Sequence, residues 1–255
     1  MTSPKDAPQP DGAADAGGVG GALVTALDAW LEAPLGQRLL SAEQAEVRAA
    51  LEDVFGNQFL QIGHWGRADT FLPLARTPRR ALVAEPGASG HCVSHAASLA
   101  ILSQSVDAVL LPHTLEFEPE PQAVLREVER VLVGEGRVLV LGFEPHGAFA
   151  VRHYLATQGF PPGLVGLLSR GRLRDWLTLL GFEVGETRRF VHALPLATLE
   201  AGALNRGLER LGRRLGGRLG SVYLLKARKR VYTLTPIRPR RRPAPKLAGA
   251  VVEPT

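Results

Sequence analysis

The feature that most constrains the fold is a succession of strand, turn, helix and strand in the middle of the chain. Residues 105–111 form a nearly continuous apolar run, which is typical of a strand buried on both faces. After a polar turn, residues 124–132 carry apolar side chains at helical spacing, and residues 137–142 form a second apolar run. This order builds a crossover between two parallel strands. The sequence therefore predicts a parallel sheet with helices packed on it.

The turn after the first of these strands carries two polar residues, His113 and Glu116. Ligands of α/β proteins bind at the carboxyl ends of parallel strands, so both side chains are expected at that edge. His113 could act as a general base or contact a substrate, or it could be a hydrogen-bonded structural histidine. Glu116 could contact a ligand or help to cap the helix that begins near Pro119.

The remaining pattern predicts further strands and helices on both sides of this block. Helices are expected before the sheet, and a late helix ends at Gly181, which suits the residue after a helix terminus. The interval between Glu85 and Asp107 is too short for a full crossover helix. The predicted helices cover residues 22–34, 39–55 and 173–181, and the predicted strands cover residues 58–63, 81–84, 92–96, 182–184 and 221–227.

The length of 255 residues suits one large α/β domain with terminal extensions. We predict a disordered leader over residues 1–21, a domain over residues 22–235 and a basic Arg/Pro-rich tail over residues 236–255. Within the domain, residues 22–56 form a helical lead-in and residues 57–235 the core. The formal net charge of +5 reflects the end of the chain, because nine of the thirty basic residues lie from Lys226 onward. The tail lacks interleaved aromatic residues, so nucleic-acid binding is disfavoured.

The chain has a single cysteine, Cys92, which excludes an internal disulfide and favours a reducing cytoplasmic location. His91 and His95 lie close to it in sequence, which is a spacing that a metal site could use. No carboxylate lies between them, and one thiol is too few for the usual structural zinc sites. We therefore predict no metal. The apolar runs are also too short to span a bilayer.

Residues 105–117, 125–132 and 136–143 together resemble the central block of the class I S-adenosylmethionine-dependent methyltransferases, of the small-molecule, type 11-like kind. Residues 173–184 resemble the late helix and sixth strand of that family, and the resemblance extends over residues 59–227. It implies a Rossmann-like three-layer α/β sandwich with a mostly parallel, seven-stranded sheet. It also implies S-adenosylmethionine as cofactor and methyl transfer to a small-molecule acceptor that the sequence does not identify.

The resemblance carries over to individual positions. Gln61, Gly63 and Trp65 occupy the acid, first-glycine and second-glycine positions of the family's first motif. Glu85 occupies the position of the acid that binds the ribose, and His95 or Ser94 replaces the acid that the family has near the adenine. The predicted cofactor-binding residues are therefore Gln61, Gly63, Trp65, Glu85, His95, Pro112 and His113, and His113 is also the predicted catalytic residue.

Two departures from the family motif leave a second function open. Gln61 replaces an acid and Trp65 replaces a glycine, so the alternative is a catalytically inactive, methyltransferase-like binding or scaffold protein. The Trp65 side chain could close the cofactor pocket or stack on a ligand. A nicotinamide-dependent oxidoreductase is disfavoured, because the motif G-x-G-x-x-G is absent after the first strand. The sequence leaves the oligomeric state open.

Overall fold

The computed structural model describes residues 16–67, 70–155, 160–191 and 220–231. Seven strands form one sheet in the order β3-β2-β1-β4-β5-β7-β6. Strands β1 to β5 pair in parallel, whereas β7 runs antiparallel between β5 and β6. This confirms the predicted α/β class with a mostly parallel seven-stranded sheet. The strands are β1 Gln58–Ile62, β2 Arg79–Ala84, β3 Cys92–Val93, β4 Val106–Pro112, β5 Leu132–Phe143, β6 Phe182–Phe190 and β7 Val222–Lys229.

Six α-helices and one 3₁₀ turn, Leu72–Leu74, accompany this sheet in the described residues. None of these helices is long and apolar enough to cross a membrane. The helices are α1 Ala16–Glu32, α2 Pro34–Ala50, α3 Thr114–Phe117, α4 Pro121–Val131, α5 Ala148–Leu155 and α6 Arg170–Leu179.

The predicted strand–helix–strand block is present as β4, α4 and β5. Helix α4 begins with Pro121, whose fixed φ suits the first helical position. Its apolar stripe is completely buried and consists of Val124, Leu125, Val128 and Val131. Burial of each such side chain contributes about 1.5–3 kcal/mol, so this stripe determines which face of the helix meets the sheet.

Side chains of the sheet alternate between two separate cores. Phe59 packs with α1 and α2 on one face, whereas its neighbour Leu60 packs with α4 and α6 on the other. The first core also contains Phe143 and Phe149, and the second contains Leu177. These two cores on a central sheet are the three layers that the sequence predicts.

Lys229 at the end of β7 connects the end of α4 to the sheet through hydrogen bonds. Its Nζ donates hydrogen bonds to the carbonyl oxygens of Glu129 (2.6 Å) and Leu132 (3.0 Å). The last carbonyls of a helix have no partner within the helix, so a buried cation is a favourable cap.

The helix boundaries differ from the predicted ones at the amino end. Helix α1 begins at Ala16, inside the segment predicted as a leader, and α2 begins at Pro34 rather than near Leu39. Proline at the first position starts α2 one turn earlier than the apolar spacing indicates. The late helix ends as predicted, with Gly181 at φ +83°. The basic tail and most of the segment between β6 and β7 lie outside the described residues.

Candidate functional site

The carboxyl ends of β1, β2 and β4 lie side by side at one edge of the sheet. Ile62 at the end of β1 pairs with Val83 of β2, and Gln61 pairs with Leu110 of β4. The turns that leave these strands therefore share one edge, where open α/β sheets bind their ligands. All three turns carry residues that the sequence predicts for cofactor binding.

Glu85 directly follows β2 and forms the open part of this edge. Its Oε2 lies 2.9 Å from His95 Nδ1, and its Oε1 accepts a hydrogen bond from the N–H of Ala96. The Glu85 side chain is 34% exposed and that of His95 is 73% exposed, so solvent reaches both. Burial and the neighbouring charge of Glu85 raise the pKa of Glu118 to about 7. Two carboxyl groups and one imidazole thus meet at the end of β2.

Gly63 reverses the chain at the end of β1, with φ of +93°. A Cβ atom at this position would lie 2.5 Å from Oγ1 of Thr114, in α3. That hydroxyl itself donates to the carbonyl oxygen of Ile62. Packing of α3 on the turn therefore requires a glycine at this position whether or not a ligand binds.

Trp65 is completely buried and turns toward the α1 and α2 layer. Its Nε1 donates a 2.8 Å hydrogen bond to Oε2 of Glu43, a residue of α2 that is also completely buried. The indole ring lies 6.0 Å from the ring of Trp30 in α1 and 4.3 Å from that of His113, measured between centroids. The side chain is thus held on the helical side, away from Glu85.

His113 is the centre of a buried hydrogen-bond network. Its Nε2 lies 2.8 Å from Oε1 of Glu43, and its Nδ1 lies 2.9 Å from Oε2 of Glu116. The other oxygen of Glu116 accepts a 2.7 Å hydrogen bond from the N–H of Phe143. All three charged side chains are at most 1% exposed. The backbone of His113 is left-handed, with φ of +58°, which directs the chain into α3.

The two carboxylates decide the charge of this imidazole. Burial by itself lowers the pKa of His113, but the charge of Glu43 and the hydrogen bonds from both carboxylates outweigh it and raise the pKa to about 9. Burial raises the pKa of Glu116, and its bonds to His113 and Phe143 oppose this in part. At neutral pH, His113 is therefore an imidazolium held between two carboxyl groups.

Three rings form a continuous row across the ends of β1, β4 and β5. Trp65 packs on His113 with centroids 4.3 Å apart, and His113 packs on Phe143 with centroids 4.2 Å apart. All three side chains are completely buried. The row fills the edge over β4 and β5, whereas the edge at β2 stays open.

The end of β1 and the turn after it hold two buried polar atoms without partners. Gln61 is 1% exposed, and its Nε2 donates to the carbonyl oxygen of Gly63 (3.3 Å), while its Oε1 has no hydrogen-bond partner. His64 Nε2 lies 2.8 Å from Oδ1 of Asp28 in α1, and His64 Nδ1 is buried without a partner. Most buried polar atoms of native proteins have partners, so these two atoms require an explanation.

The structure brings most of the predicted site residues together. Gly63, Trp65 and His113 lie at the ends of β1 and β4, and Glu85 and His95 meet at the end of β2. Their roles toward a cofactor stay predictions. The last predicted residue, Pro112, ends β4 as a buried residue paired with Leu141 of β5.

The sequence interpretation missed Glu43, on which the buried network depends. Residues Leu35, Leu39, Glu43 and Val47 recur every four positions in α2, and all four are buried. A carboxylate inside an otherwise apolar stripe is a detectable signal, because such a group is buried only with polar partners.

The histidines near Cys92 have separate partners. His91 Nδ1 accepts a hydrogen bond from the N–H of Leu82, and His95 binds Glu85. Among the residues that the structure describes, no cluster of three or more metal-ligating side chains is found.

The sheet combines five parallel strands with an antiparallel β7 inserted between β5 and β6. This strand order defines a Rossmann-like fold of the methyltransferase type. A family model described as a methyltransferase domain matches residues 72–140. The match covers β2, β3, β4, α4 and most of β5, and therefore includes the strand–helix–strand block on which the sequence prediction depends.

Relatives from two bacteria align with most of the chain. The uncharacterised protein YafS of Escherichia coli (strain K12) is 29% identical over 213 residues, which cover 83% of this chain and 85% of YafS. The uncharacterised protein Rv2003c of Mycobacterium tuberculosis (strain H37Rv) is 31% identical over 209 residues, covering 78% of this chain and 73% of that protein.

Two solved structures share the fold at low sequence identity. A candidate methyltransferase from Bacillus halodurans has a TM-score of 0.51 and 17% identity, covering 74% of this chain and 99% of its own. The structure of the Haloferax volcanii Trm112 methyltransferase activator with its candidate methyltransferase matches with a TM-score of 0.52 and 15% identity, covering 83% and 99%. The chain belongs to the class I S-adenosylmethionine-dependent methyltransferases.

Proposed function

We propose that this chain transfers a methyl group from S-adenosylmethionine to a small-molecule acceptor. The observation that carries the proposal is Glu85, a partly exposed carboxylate at the end of β2, beside the turn that Gly63 forms after β1. A carboxylate in this place can accept hydrogen bonds from both hydroxyls of a ribose. The cofactor supplies an electrophilic methyl group when it is bound. The single cysteine, Cys92, supports a reducing cytoplasmic location for the enzyme.

The remaining predicted residues have different parts in this proposal. Glu85 binds the ribose, and exposed His95 borders the base after it releases Glu85. Trp65 and His113 contribute through their positions at the strand ends and not through free polar atoms, because their side chains are buried and already hydrogen-bonded to Glu43. For His113 to act as a base toward an acceptor, one of its two bonds to carboxylates has to open. Its catalytic role therefore stays a prediction.

One observation favours a second candidate function, a catalytically inactive binding protein. The row of Trp65, His113 and Phe143 fills the edge over β4 and β5. Methyl transfer needs an acceptor in line with the sulfonium methyl group, so an acceptor on this side needs space next to the cofactor. A protein that keeps the row closed would bind the cofactor through β1 and β2 without transferring its methyl group.

Calorimetric titration with S-adenosylhomocysteine and S-adenosylmethionine tests the binding step. Glu85→Gln removes the charge that favours the ribose hydroxyls, so the affinity is expected to fall about 10- to 100-fold, as for a lost charge-assisted hydrogen bond. The matched control is Glu120→Gln, at an exposed glutamate that precedes α4. It should bind like the wild type.

The outcomes separate the two candidate functions. Failure of the wild type to bind either compound would refute methyl transfer and would favour an inactive scaffold protein. Binding that Glu85→Gln leaves unchanged would refute the proposed ribose contact. Binding without consumption of S-adenosylmethionine, over a panel of small nucleophilic acceptors, would favour the inactive binding protein.

A further inference from the structure

The carboxylate of Asp28 fixes which nitrogen of the His64 ring carries the proton. His64 Nε2 lies 2.8 Å from Oδ1 of Asp28, and an ionised carboxylate only accepts hydrogen bonds, so Nε2 is the protonated nitrogen of the neutral ring. The lone pair then lies on Nδ1, which is buried and has no hydrogen-bond partner. The two nitrogens point in different directions, so Asp28 and a group bound at Nδ1 lie on different sides of the ring. An imidazole that a carboxylate orients, with its second nitrogen available for a proton, is the arrangement of a general base.

His113 differs from His64 in this respect, because both of its ring nitrogens are already bound. Its Nε2 faces Glu43 and its Nδ1 faces Glu116. The raised pKa keeps the His113 ring protonated at neutral pH, and a protonated imidazole accepts no further proton. Nδ1 of His64, in contrast, can accept a proton without the loss of any hydrogen bond. Of the two histidines at this edge, His64 is therefore the one that is arranged as a base.

The pair of His64 and Asp28 lies beside the proposed path of the cofactor. His64 follows Gly63 in the turn after β1, and β1 lies between β2 and β4 in the sheet. A cofactor whose base lies at His95 and whose ribose binds Glu85 therefore directs its methyl-bearing sulfur from β2 toward β1. The buried row of three rings closes the edge over β4 and β5, whereas the Asp28 side chain in α1 is 42% exposed. An acceptor thus approaches from the side of α1.

We propose that His64 is the general base for methyl transfer to a hydroxyl group of the acceptor, and that Asp28 orients its ring. This inference rests on the proposed function, because it requires S-adenosylmethionine as the methyl donor. The O–H bond of the acceptor breaks, and its proton binds to Nδ1 of His64. The oxygen bonds to the methyl carbon while the bond from that carbon to sulfur breaks, and the electron pair of the broken bond stays on sulfur. The products are a methyl ether, S-adenosylhomocysteine and an imidazolium that the charge of Asp28 stabilises.

Two measurements separate a base from a cofactor contact. Formation of S-adenosylhomocysteine is followed with phenol, catechol and benzyl alcohol as hydroxyl probes, and the affinity for S-adenosylmethionine is measured by calorimetry. His64→Gln should lower kcat about 100- to 10,000-fold and leave the affinity unchanged. Asp28→Asn should lower kcat about tenfold or more, because the ring loses its orienting charge. The control is Glu32→Gln, at an exposed carboxylate on the same helix, which should change neither quantity.

Two further readouts exclude a merely structural role. Added imidazole should partly restore the kcat of His64→Ala but not that of Asp28→Asn, in which the His64 ring still fills its place. Nitrogen-15 NMR of the ligand-free wild type should show the neutral His64 ring protonated at Nε2, and a ring protonated at Nδ1 alone would overturn the inference. An unchanged kcat in His64→Gln, a weaker affinity for S-adenosylmethionine in that variant, or no transfer from bound S-adenosylmethionine to any hydroxyl probe would overturn it as well, with cofactor binding intact. If the wild type does not bind S-adenosylmethionine, the proposed function fails, and this inference fails with it.

Discussion

Replacing Glu43 by glutamine is expected to change the pH dependence of stability without unfolding the protein. In the wild type, Glu43 accepts hydrogen bonds from Trp65 Nε1 and His113 Nε2. A glutamine can still accept from Trp65, and its NH₂ group can donate to a neutral His113 whose Nδ1–H faces Glu116. Every buried partner then stays satisfied. Glu43→Ala, in contrast, leaves two buried donors unpaired and should cost about 3–5 kcal/mol.

The expected change in the free energy of unfolding follows from the raised pKa of His113. Its value is about 9 in the folded protein against an ordinary value of 6.5, which corresponds to about 3 kcal/mol at about 1.4 kcal/mol per unit. Because the folded-state pKa is raised, this stabilisation is complete below pH 6.5 and is lost as the pH rises through about 9. Removing the charge of Glu43 leaves only Glu116 to hold the proton. In Glu43→Gln, the stabilisation that is lost between pH 6.5 and about 9 should therefore be smaller than in the wild type by about half or more.

Urea unfolding at about pH 6 and about pH 10 measures both free energies of unfolding for the wild type and Glu43→Gln. Subtracting the free energy of unfolding of one protein from that of the other removes the contributions of lysines and tyrosines that titrate in the same pH range. The remaining difference should be largest at the lower pH and nearly vanish at the higher one. A difference that is the same at both pH values would refute the assignment of a charged His113. Glu120→Gln, at an exposed site, should show the wild-type profile.

Two further predictions concern single contacts of the fold. Gly63→Ala places a Cβ atom 2.5 Å from Thr114 Oγ1 at φ +93°, and it should lower the free energy of unfolding by about 2–4 kcal/mol. Combined with Thr114→Ala it should cost less than the two single changes together, and additive losses would contradict the packing explanation. Lys229→Met removes two hydrogen bonds to carbonyl oxygens at the end of α4, and should cost about 2 kcal/mol in thermal or urea unfolding. An unchanged melting temperature would show that water satisfies these carbonyls equally well.

The order of β4, α4 and β5 could be predicted because its signals are local. Apolar runs identify buried strands, and the spacing of Val124, Val128 and Val131 identifies the buried face of α4. The short crossover around β3 was equally predictable, because few residues separate Glu85 from Asp107. The starts of α1 and α2 were not, since the apolar spacing of a helix does not mark its first turn.

The candidate site depends on contacts between residues far apart in sequence. Glu43 and His113 are separated by seventy positions and meet only when α2 packs on the sheet. The apolar stripe of α2 could have identified Glu43 as buried, but not its partners. The resemblance placed Gly63 at the first glycine of the family motif, whereas its contact with Thr114 depends on how α3 packs over the end of β1.

The sequence by itself determined the class of fold and the strand ends at which a ligand binds, because hydrophobic periodicity and segment lengths are properties of neighbouring residues. Only the tertiary structure decided the direction of Trp65, the charge of His113 and the burial of two polar atoms of Gln61 and His64 without partners. The orientation of a side chain, the pKa of a buried group and the satisfaction of its hydrogen bonds all depend on groups that other elements bring into contact.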